Sequence, residues 1–383
     1  MKTRIDWVRR NCRLLAGIAT EFEAAKPFAG KTIGTGIHLE PKTVALILTL
    51  QAGGARMVST GNLNTTQPEA VAYLRDHGVT VIGGPTRNPK EHHESLVAVL
   101  AEEPDLILDN GGDLFDLYRQ NRYAGLLGGT EETTSGRMRL EPLRDDFRMP
   151  ILVINDSPIK QFAENEHAVG QSVLESFIRI TNRATNGQRI TVFGYGACGK
   201  GVAANFRNAN ARVSVVDRDP LKRLQAHLDG HETPPRDAAI ASADFIVTVT
   251  GGKHVIGPDD LPLFKDGVVL ANAGHFPQEI EAARIAGDGT VVERTAYEVG
   301  IETLRLADGR TIGIIAEGHM FNLAGPRPMG NSIESMDLGF ALQARCLEAI
   351  ALGKAERDAC VVPVPRNIDD RVANAFLDLC YGA

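Results

Sequence analysis

The stretch Arg189-Ile190-Thr191-Val192-Phe193-Gly194-Tyr195-Gly196-Ala197-Cys198-Gly199 decides the fold. Its first five residues, rich in β-branched and aromatic side chains, read as a buried strand. The glycines follow at once, and a helical pattern runs on to about Asn210. Gly194 permits a tight turn, Gly196 lets the backbone approach a pyrophosphate, and Gly199 lets helix and strand pack closely. The start of the helix then offers free N–H groups to an anion. Arg212-Val213-Ser214-Val215-Val216-Asp217 is the next strand, and its terminal acid stands 18 residues after Gly199. A carboxylate there accepts from both hydroxyls of an adenosine ribose and repels a 2′-phosphate, so the spacing points to NAD rather than NADP. The competing reading is a glycine turn that binds nothing. The complete order of strand, fingerprint, helix, strand and acid speaks against it.

Outward from this unit, strands are expected at 245–249 and 268–271, with a helix at 171–185 before the fingerprint. Toward the N-terminus an amphipathic helical stretch covers 1–24. Strand-like Lys31-Thr32-Ile33-Gly34 leads to a helix over 43–50, then strand 55–58, helix 67–77, strand 79–82, helix 89–102 and strand 105–109. Met149–Ile154 closes this half. Short buried strands separated by helices imply parallel βαβ units. The fold class is therefore α/β, with two Rossmann-like doubly wound domains joined by a hinge. The expected segments are 1–168 for substrate and catalysis and 171–325 for NAD. A C-terminal segment, 332–383, returns to the first domain around a final helix near 335–352.

The 383 residues suit two or three domains, and the 43% hydrophobic content excludes large-scale disorder. Basic residues number 41 against 48 acidic, net −7, with no Lys/Arg block and only 5% aromatics, so no nucleic acid partner is expected. The basic start, Met1-Lys2-Thr3-Arg4, has no apolar run behind it, and nothing approaches the roughly 18 apolar residues of a membrane span. A cytoplasmic protein that does not engage membranes is expected. Its five scattered cysteines read as reduced thiols, and no metal site is expected.

Several polar clusters carry possible chemistry. Glu91-His92-His93-Glu94 reads as a solvated helix face, because adjacent residues on a helix point apart. His38, Glu40 and Lys42 alternate beside a strand end, where α/β folds keep their chemistry. Glu131-Glu132-Thr133-Thr134-Ser135 packs two carboxylates and three hydroxyls together; as an isolated cluster it reads equally as an exposed turn. Asn155-Asp156-Ser157-Pro158-Ile159-Lys160 follows a buried strand directly, which poises Lys160 over a ligand or leaves it a surface lysine.

Taken in order, these segments resemble the S-adenosyl-L-homocysteine hydrolases, from about Lys26 to about Val372. The resemblance is carried by Gly36-Ile37-His38-Leu39-Glu40-Pro41-Lys42-Thr43, Leu108-Asp109-Asn110-Gly111-Gly112-Asp113-Leu114 and Glu131-Glu132-Thr133-Thr134-Ser135-Gly136. It continues in Asn155-Asp156-Ser157 with Lys160, Gly194-Tyr195-Gly196, Asn272-Ala273-Gly274-His275-Phe276, and Ala316-Glu317-Gly318 with Asn322-Leu323. The His-Leu-Glu-x-Lys-Thr form is similar to the archaeal and thermophile branch. The resemblance implies a tightly held NAD that oxidises a ribose at C3′. Loss of the C4′ proton then expels the C5′ substituent. It further implies Lys160 as the base at the 3′-hydroxyl, Glu132 on the ribose hydroxyls, and His38 as the acid for the leaving group. Glu164 would be the base at C4′, with Asn165 near the nicotinamide. Glu40, Lys42, Thr43 and His275 are expected on substrate. Thr133, Thr134, Ser135, Gly194, Gly196, Gly199, Asp217, Asn272 and Asn322 are expected on the cofactor. A homotetramer or homodimer with a closing hinge is implied.

The departures gather on the C5′ side. Asn110 stands where the family has an acid, and an amide cannot trade a proton. Glu164 replaces a shorter acid, and Val169 replaces a small Cys or Thr. The loop Ala324-Gly325-Pro326-Arg327-Pro328-Met329-Gly330-Asn331 is about two residues longer than its counterpart and lacks the family's histidine. The family's tail, which reaches a neighbouring subunit's NAD, has no counterpart up to Ala383, so readier cofactor exchange is expected. The resulting expectation is a family enzyme acting on an adenosine-type nucleoside with an altered leaving group. That group would be water, making the enzyme a nucleoside dehydratase of nucleoside-antibiotic biosynthesis. One alternative is an ordinary adenosylhomocysteinase acting on S-adenosylhomocysteine; another is a non-catalytic NAD-binding regulator.

Overall fold

A computed structural model describes residues 2–382; Met1 and Ala383, where the first and last expected segments begin and end, lie outside the described residues. The chain forms two units, Met1–Gln161 with Ile333–Ala383, and Phe162–Ser332. The change of unit thus falls before residue 168, and the second unit runs past 325 to Ser332.

The first unit opens with β1 (Thr32–Ile37), β2 (Arg56–Gly61), β3 (Thr80–Val81), β4 (Leu106–Asp109), β5 (Gly128–Glu131) and β6 (Ile151–Val153). The second holds β7 (Arg189–Phe193), β8 (Arg212–Val216), β9 (Phe245–Thr248), β10 (Val269–Asn272), β11 (Val291–Tyr297), β12 (Ile301–Leu306) and β13 (Thr311–Ile315). The chain then returns to add β14 (Cys360–Pro363) to the first sheet, parallel to β6.

The first sheet has the order β14-β6-β5-β4-β1-β2-β3, parallel throughout. Helices cover both faces of such a sheet, and its central strands are accordingly buried along nearly their whole length. The chain builds β1 to β3 in one direction and then β4 to β6 in the other. The reversal lies between β1 and β4, and the crevice beyond their carboxyl ends is where such a sheet holds a ligand. The sequence pattern missed β5, because Gly128-Gly129-Thr130-Glu131 has no apolar residue. A Cβ on Gly129 would lie 1.9 Å from the Ile107 carbonyl oxygen, so the strand pairs only as glycine.

The second sheet has the order β11-β12-β13-β10-β9-β7-β8. Its reversal lies between β7 and β9. β11 to β13 form an antiparallel edge that the sequence reading did not anticipate. β11 is exposed along almost its whole length and so carries no burial alternation to read.

The expected helix over 1–24 is two helices, Arg4–Asn11 and Arg13–Ala25, because Cys12 leaves the helical region at φ −77°, ψ 74°. The break frees the N–H groups of Leu14 and Leu15, which donate to the Asp337 carboxylate at 2.7 and 3.0 Å. The helix Ile333–Ala351 that carries Asp337 is not the last; Arg366–Tyr381 follows. That final helix fully buries only Ile368, Asp369 and Val372, too few apolar positions to have marked it. No helix among the described residues is long and apolar enough to cross a membrane.

Candidate active site

The loops after β1, β2, β4, β5 and β6 converge on the crevice of the first sheet. After β1, His38 Nδ1 lies 2.6 Å from the Thr65 hydroxyl, and the Thr43 hydroxyl donates to the His38 carbonyl at 2.6 Å. Glu40 and Lys42 pair at 2.8 Å, both buried. After β4, the Asn110 Nδ2 donates to Glu132 Oε2 at 2.8 Å, and its Oδ1 accepts from Asn62 Nδ2 at 2.9 Å. Lys160 Nζ, beyond β6, lies 3.4 Å from the other Glu132 oxygen; both side chains are about 6% exposed. Lys160 is therefore not a surface lysine, and Glu132 is not in an exposed turn. A buried ion pair costs several kcal/mol in desolvation, and one kept at a strand-end crevice is a candidate site for ligand chemistry.

Two further carboxylates, wholly buried, shape these loops. Glu131 accepts from the N–H groups of Gly111, Gly112 and Thr133 and from the Thr133 hydroxyl, at 2.7–3.0 Å. A Cβ on Gly136 would sit 2.2 Å from the Glu131 carboxyl, which explains that glycine. Asp109 accepts from the N–H groups of Asn110 and Phe115. Burial pushes the proton affinity of both carboxyls up, and for Asp109 the neighbouring Glu131 adds to it. The hydroxyls expected on the cofactor are occupied locally: Thr133 caps the helix Thr134–Leu140, Ser135 lies 3.0 Å from Thr133, and Thr134 donates to Asn155. His92, read as part of a solvated face, is instead half-buried and bonds the Gly61 backbone; desolvation lowers its proton affinity.

Lys160–Ala168 is a π-helix. Bonds from i to i+5 widen the turn, so positions four and five along flank the first. Along this element Lys160, Glu164 and Asn165 share one face, whereas α-helical winding would turn Asn165 aside. Glu164 is buried.

The second unit builds a dinucleotide cradle at the β7/β9 reversal. Gly194 has φ +101°, and a Cβ there would meet the Val249 carbonyl oxygen at 2.8 Å; at Gly199 it would meet the Gly194 carbonyl oxygen at 2.0 Å. At Gly196 it would meet nothing within 4 Å, leaving the helix start open to a pyrophosphate. The Asp217 carboxylate is aimed by accepting from the Tyr195 and Asp219 N–H groups. Asn322 is 2% exposed; its Nδ2 donates to Ser172, while its Oδ1 is buried with no partner, an acceptor suited to a carboxamide. Asn272 is wholly engaged: its Oδ1 accepts from Gly274 and Thr248, and its Nδ2 donates to the carbonyls of Gly274, Phe276 and Gly318. It holds the loop that carries His275. On the loop 324–331, Asn331 accepts from Ser172.

Sequence reasoning missed Asn62, Gln67 and Glu279. Asn62-Leu63-Asn64-Thr65-Thr66-Gln67 is a polar run directly after a buried strand, the same signal that singled out Lys160. Gln67 keeps a buried, unpartnered Oε1 beside the β1 loop, where its N–H donates to the Leu39 carbonyl. Glu279 is fully buried and accepts from the Thr250 N–H and hydroxyl and from the Gly251 N–H at 2.8–2.9 Å, bracing the loop against which Gly194 packs. Among the described residues no group of three or more His, Cys, Asp or Glu is placed to hold a metal ion.

The model of S-adenosyl-L-homocysteine hydrolase matches residues 2–126, and that of the S-adenosyl-L-homocysteine hydrolase NAD binding domain matches residues 165–327. The cofactor is therefore NAD, in agreement with Asp217 and the glycine cradle. An adenosylhomocysteinase of Thermotoga maritima is 38% identical over 98% of this chain and 93% of its own length. An S-inosyl-L-homocysteine hydrolase of Methanopyrus kandleri is 37% identical over 98% of this chain and 89% of its own. With both sheets, the cradle and nearly the full length accounted for, the chain belongs to the S-adenosyl-L-homocysteine hydrolase family and is an NAD-dependent enzyme of it.

Proposed function

We propose that the enzyme oxidises a purine nucleoside at ribose C3′ and exchanges its C5′ substituent with water, the substituent being homocysteine. The buried Lys160–Glu132 pair, 3.4 Å apart at the crevice of the first sheet, carries this reading. Bound NAD supplies a reversible hydride acceptor, and the C4′ proton becomes acidic while the sugar is oxidised. Lys160, in its neutral amine form, takes the proton of the 3′-hydroxyl, and Glu132 accepts from that hydroxyl and orients it. Glu164 removes the C4′ proton. His38, braced by Thr65, protonates the departing group. The names of the relatives support an adenosyl or inosyl homocysteine thioether as substrate.

A second reading, dehydration of a nucleoside bearing a C5′-hydroxyl, is favoured by Asn110. Its amide is engaged at both ends and has no proton to trade with an incoming water. One experiment separates the two. The holoenzyme is incubated with S-adenosylhomocysteine, S-inosylhomocysteine or adenosine, and products are identified by mass spectrometry. Homocysteine release with free nucleoside supports the hydrolase. A 4′,5′-unsaturated nucleoside from adenosine, without homocysteine release, supports the dehydratase. Neither product, with no absorbance change at the NADH band, overturns both.

A further inference from the structure

One polar chain crosses the carboxyl ends of four strands in the first unit. Asn62, after β2, donates to Asn110 Oδ1 at 2.9 Å. Asn110, after β4, donates to Glu132 Oε2 at 2.8 Å. Glu132, after β5, turns its Oε1 to Lys160, 3.4 Å away beyond β6. The polarity of this chain follows from one end. An ionised carboxylate only accepts, so the group of Asn110 that faces Glu132 is its NH2. Its oxygen must then face Asn62, which must present its own NH2. The main chain at Asn62 is itself held, since its backbone carbonyl accepts from the Thr66 hydroxyl at 2.9 Å and from the Thr65 N–H. A Cβ on the preceding Gly61 would lie 1.9 Å from Thr66 Oγ1, so that turn closes tightly.

We infer that Asn62 is a positioning residue of the reaction: acting through Asn110, it holds Glu132 with one oxygen bound and the other turned to Lys160. An acid at 110 would set two carboxylates 2.8 Å apart, and one proton would have to be shared between them. The amide removes that proton and leaves Glu132 a fixed acceptor. Asn62 supplies the second anchor: without it the Asn110 amide keeps its NH2 toward the carboxylate but loses the hold on its oxygen, and is free to swing and take the Glu132 oxygen with it. The inference rests on the proposed role of Lys160 at the 3′-hydroxyl, and its test separates the two.

Holoenzymes carrying Asn62→Ala, Asn110→Ala and both are compared for NAD content, melting temperature and the rate at which nucleoside reduces bound NAD. Asn62→Ala should slow reduction by about tenfold to a hundredfold, less than the 10²–10⁴ typical of losing a general base outright. NAD content and the half-saturating nucleoside concentration should stay near the parent values. The double variant should be no slower than Asn110→Ala alone. Multiplying effects, or a change confined to melting temperature or half-saturation, overturn the inference. A parent enzyme that no purine nucleoside reduces overturns the proposed function instead. The relay is then decided by reductive methylation of Lys160, followed by peptide mass spectrometry. Faster labelling in Asn62→Ala, with nothing added to Asn110→Ala, supports it; labelling unchanged from the parent overturns it.

Discussion

At the scale of the residue, Lys160 and Glu279 are both buried but serve different loops. Lys160→Ala should lower the rate of substrate-driven NAD reduction by on the order of 10²–10⁴ while NAD content stays unchanged, read as the absorbance rise of NADH after mixing. A full rise in that variant would remove Lys160 from the chemistry. Glu279→Gln should act on the cofactor instead. Glutamine keeps the shape but turns an NH2 toward N–H groups that need an acceptor. A hydrogen bond to a charged group contributes about 1.5–3 kcal/mol, so the Thr250–Gly251 loop should loosen. NAD lost on gel filtration, measured per subunit, checks this; full retention would show the loop holds without Glu279. Lys160 was legible in the sequence because it follows a buried strand. Asn62 carries the same signal, but its role, like that of Glu279, comes from partners 48, 28 and 29 residues away.

At the scale of the element, glycines decide how closely helices and strands approach. A Cβ on Gly201, in the helix Ala197–Asn208, would lie 1.7 Å from the Glu166 carbonyl oxygen, and one on Gly170 would lie 2.4 Å from the Gly201 carbonyl oxygen. Gly201→Ala therefore forces the helix Ala197–Asn208 off the segment at 166–170. Overpacking of this kind costs about 1–3 kcal/mol. A lower melting temperature together with reduced NAD content should result, by calorimetry and cofactor assay; an unchanged melt would mean the backbone relaxes freely there. The strand–glycine–helix order around Gly194 was readable because each part obeys a local rule. β5 and the π-helix were not. The first is a strand only because β4 comes close enough to demand glycine, and the second is a winding that apolar spacing does not report.

At the scale of the whole molecule, the chain leaves its first unit at Gln161, builds the second, and returns at Ile333. The return is fastened by Asp337 on the N–H groups of Leu14 and Leu15. Burial raises this carboxyl from 3.8 to about 6. A raised acid contributes stability that is complete below its unfolded value and is lost as pH rises through the folded one. The shift corresponds to about 3 kcal/mol. Asp337→Asn should therefore flatten the fall in stability between pH 4 and 6, measured by urea unfolding at each pH; a slope equal to the parent's would clear Asp337 of it. The sequence alone determined the α/β alternation, the dinucleotide cradle and the preference of Asp217 for NAD. Each is a pattern of residue types over a short stretch, governed by local sterics and hydrogen bonding. Only the tertiary structure decided that β14 joins β6, that Asp337 caps the helix Arg13–Ala25, and that Asn62 reaches Glu132 through Asn110. Those contacts follow from strand order, which sets distant residues side by side and leaves no periodic trace along the chain.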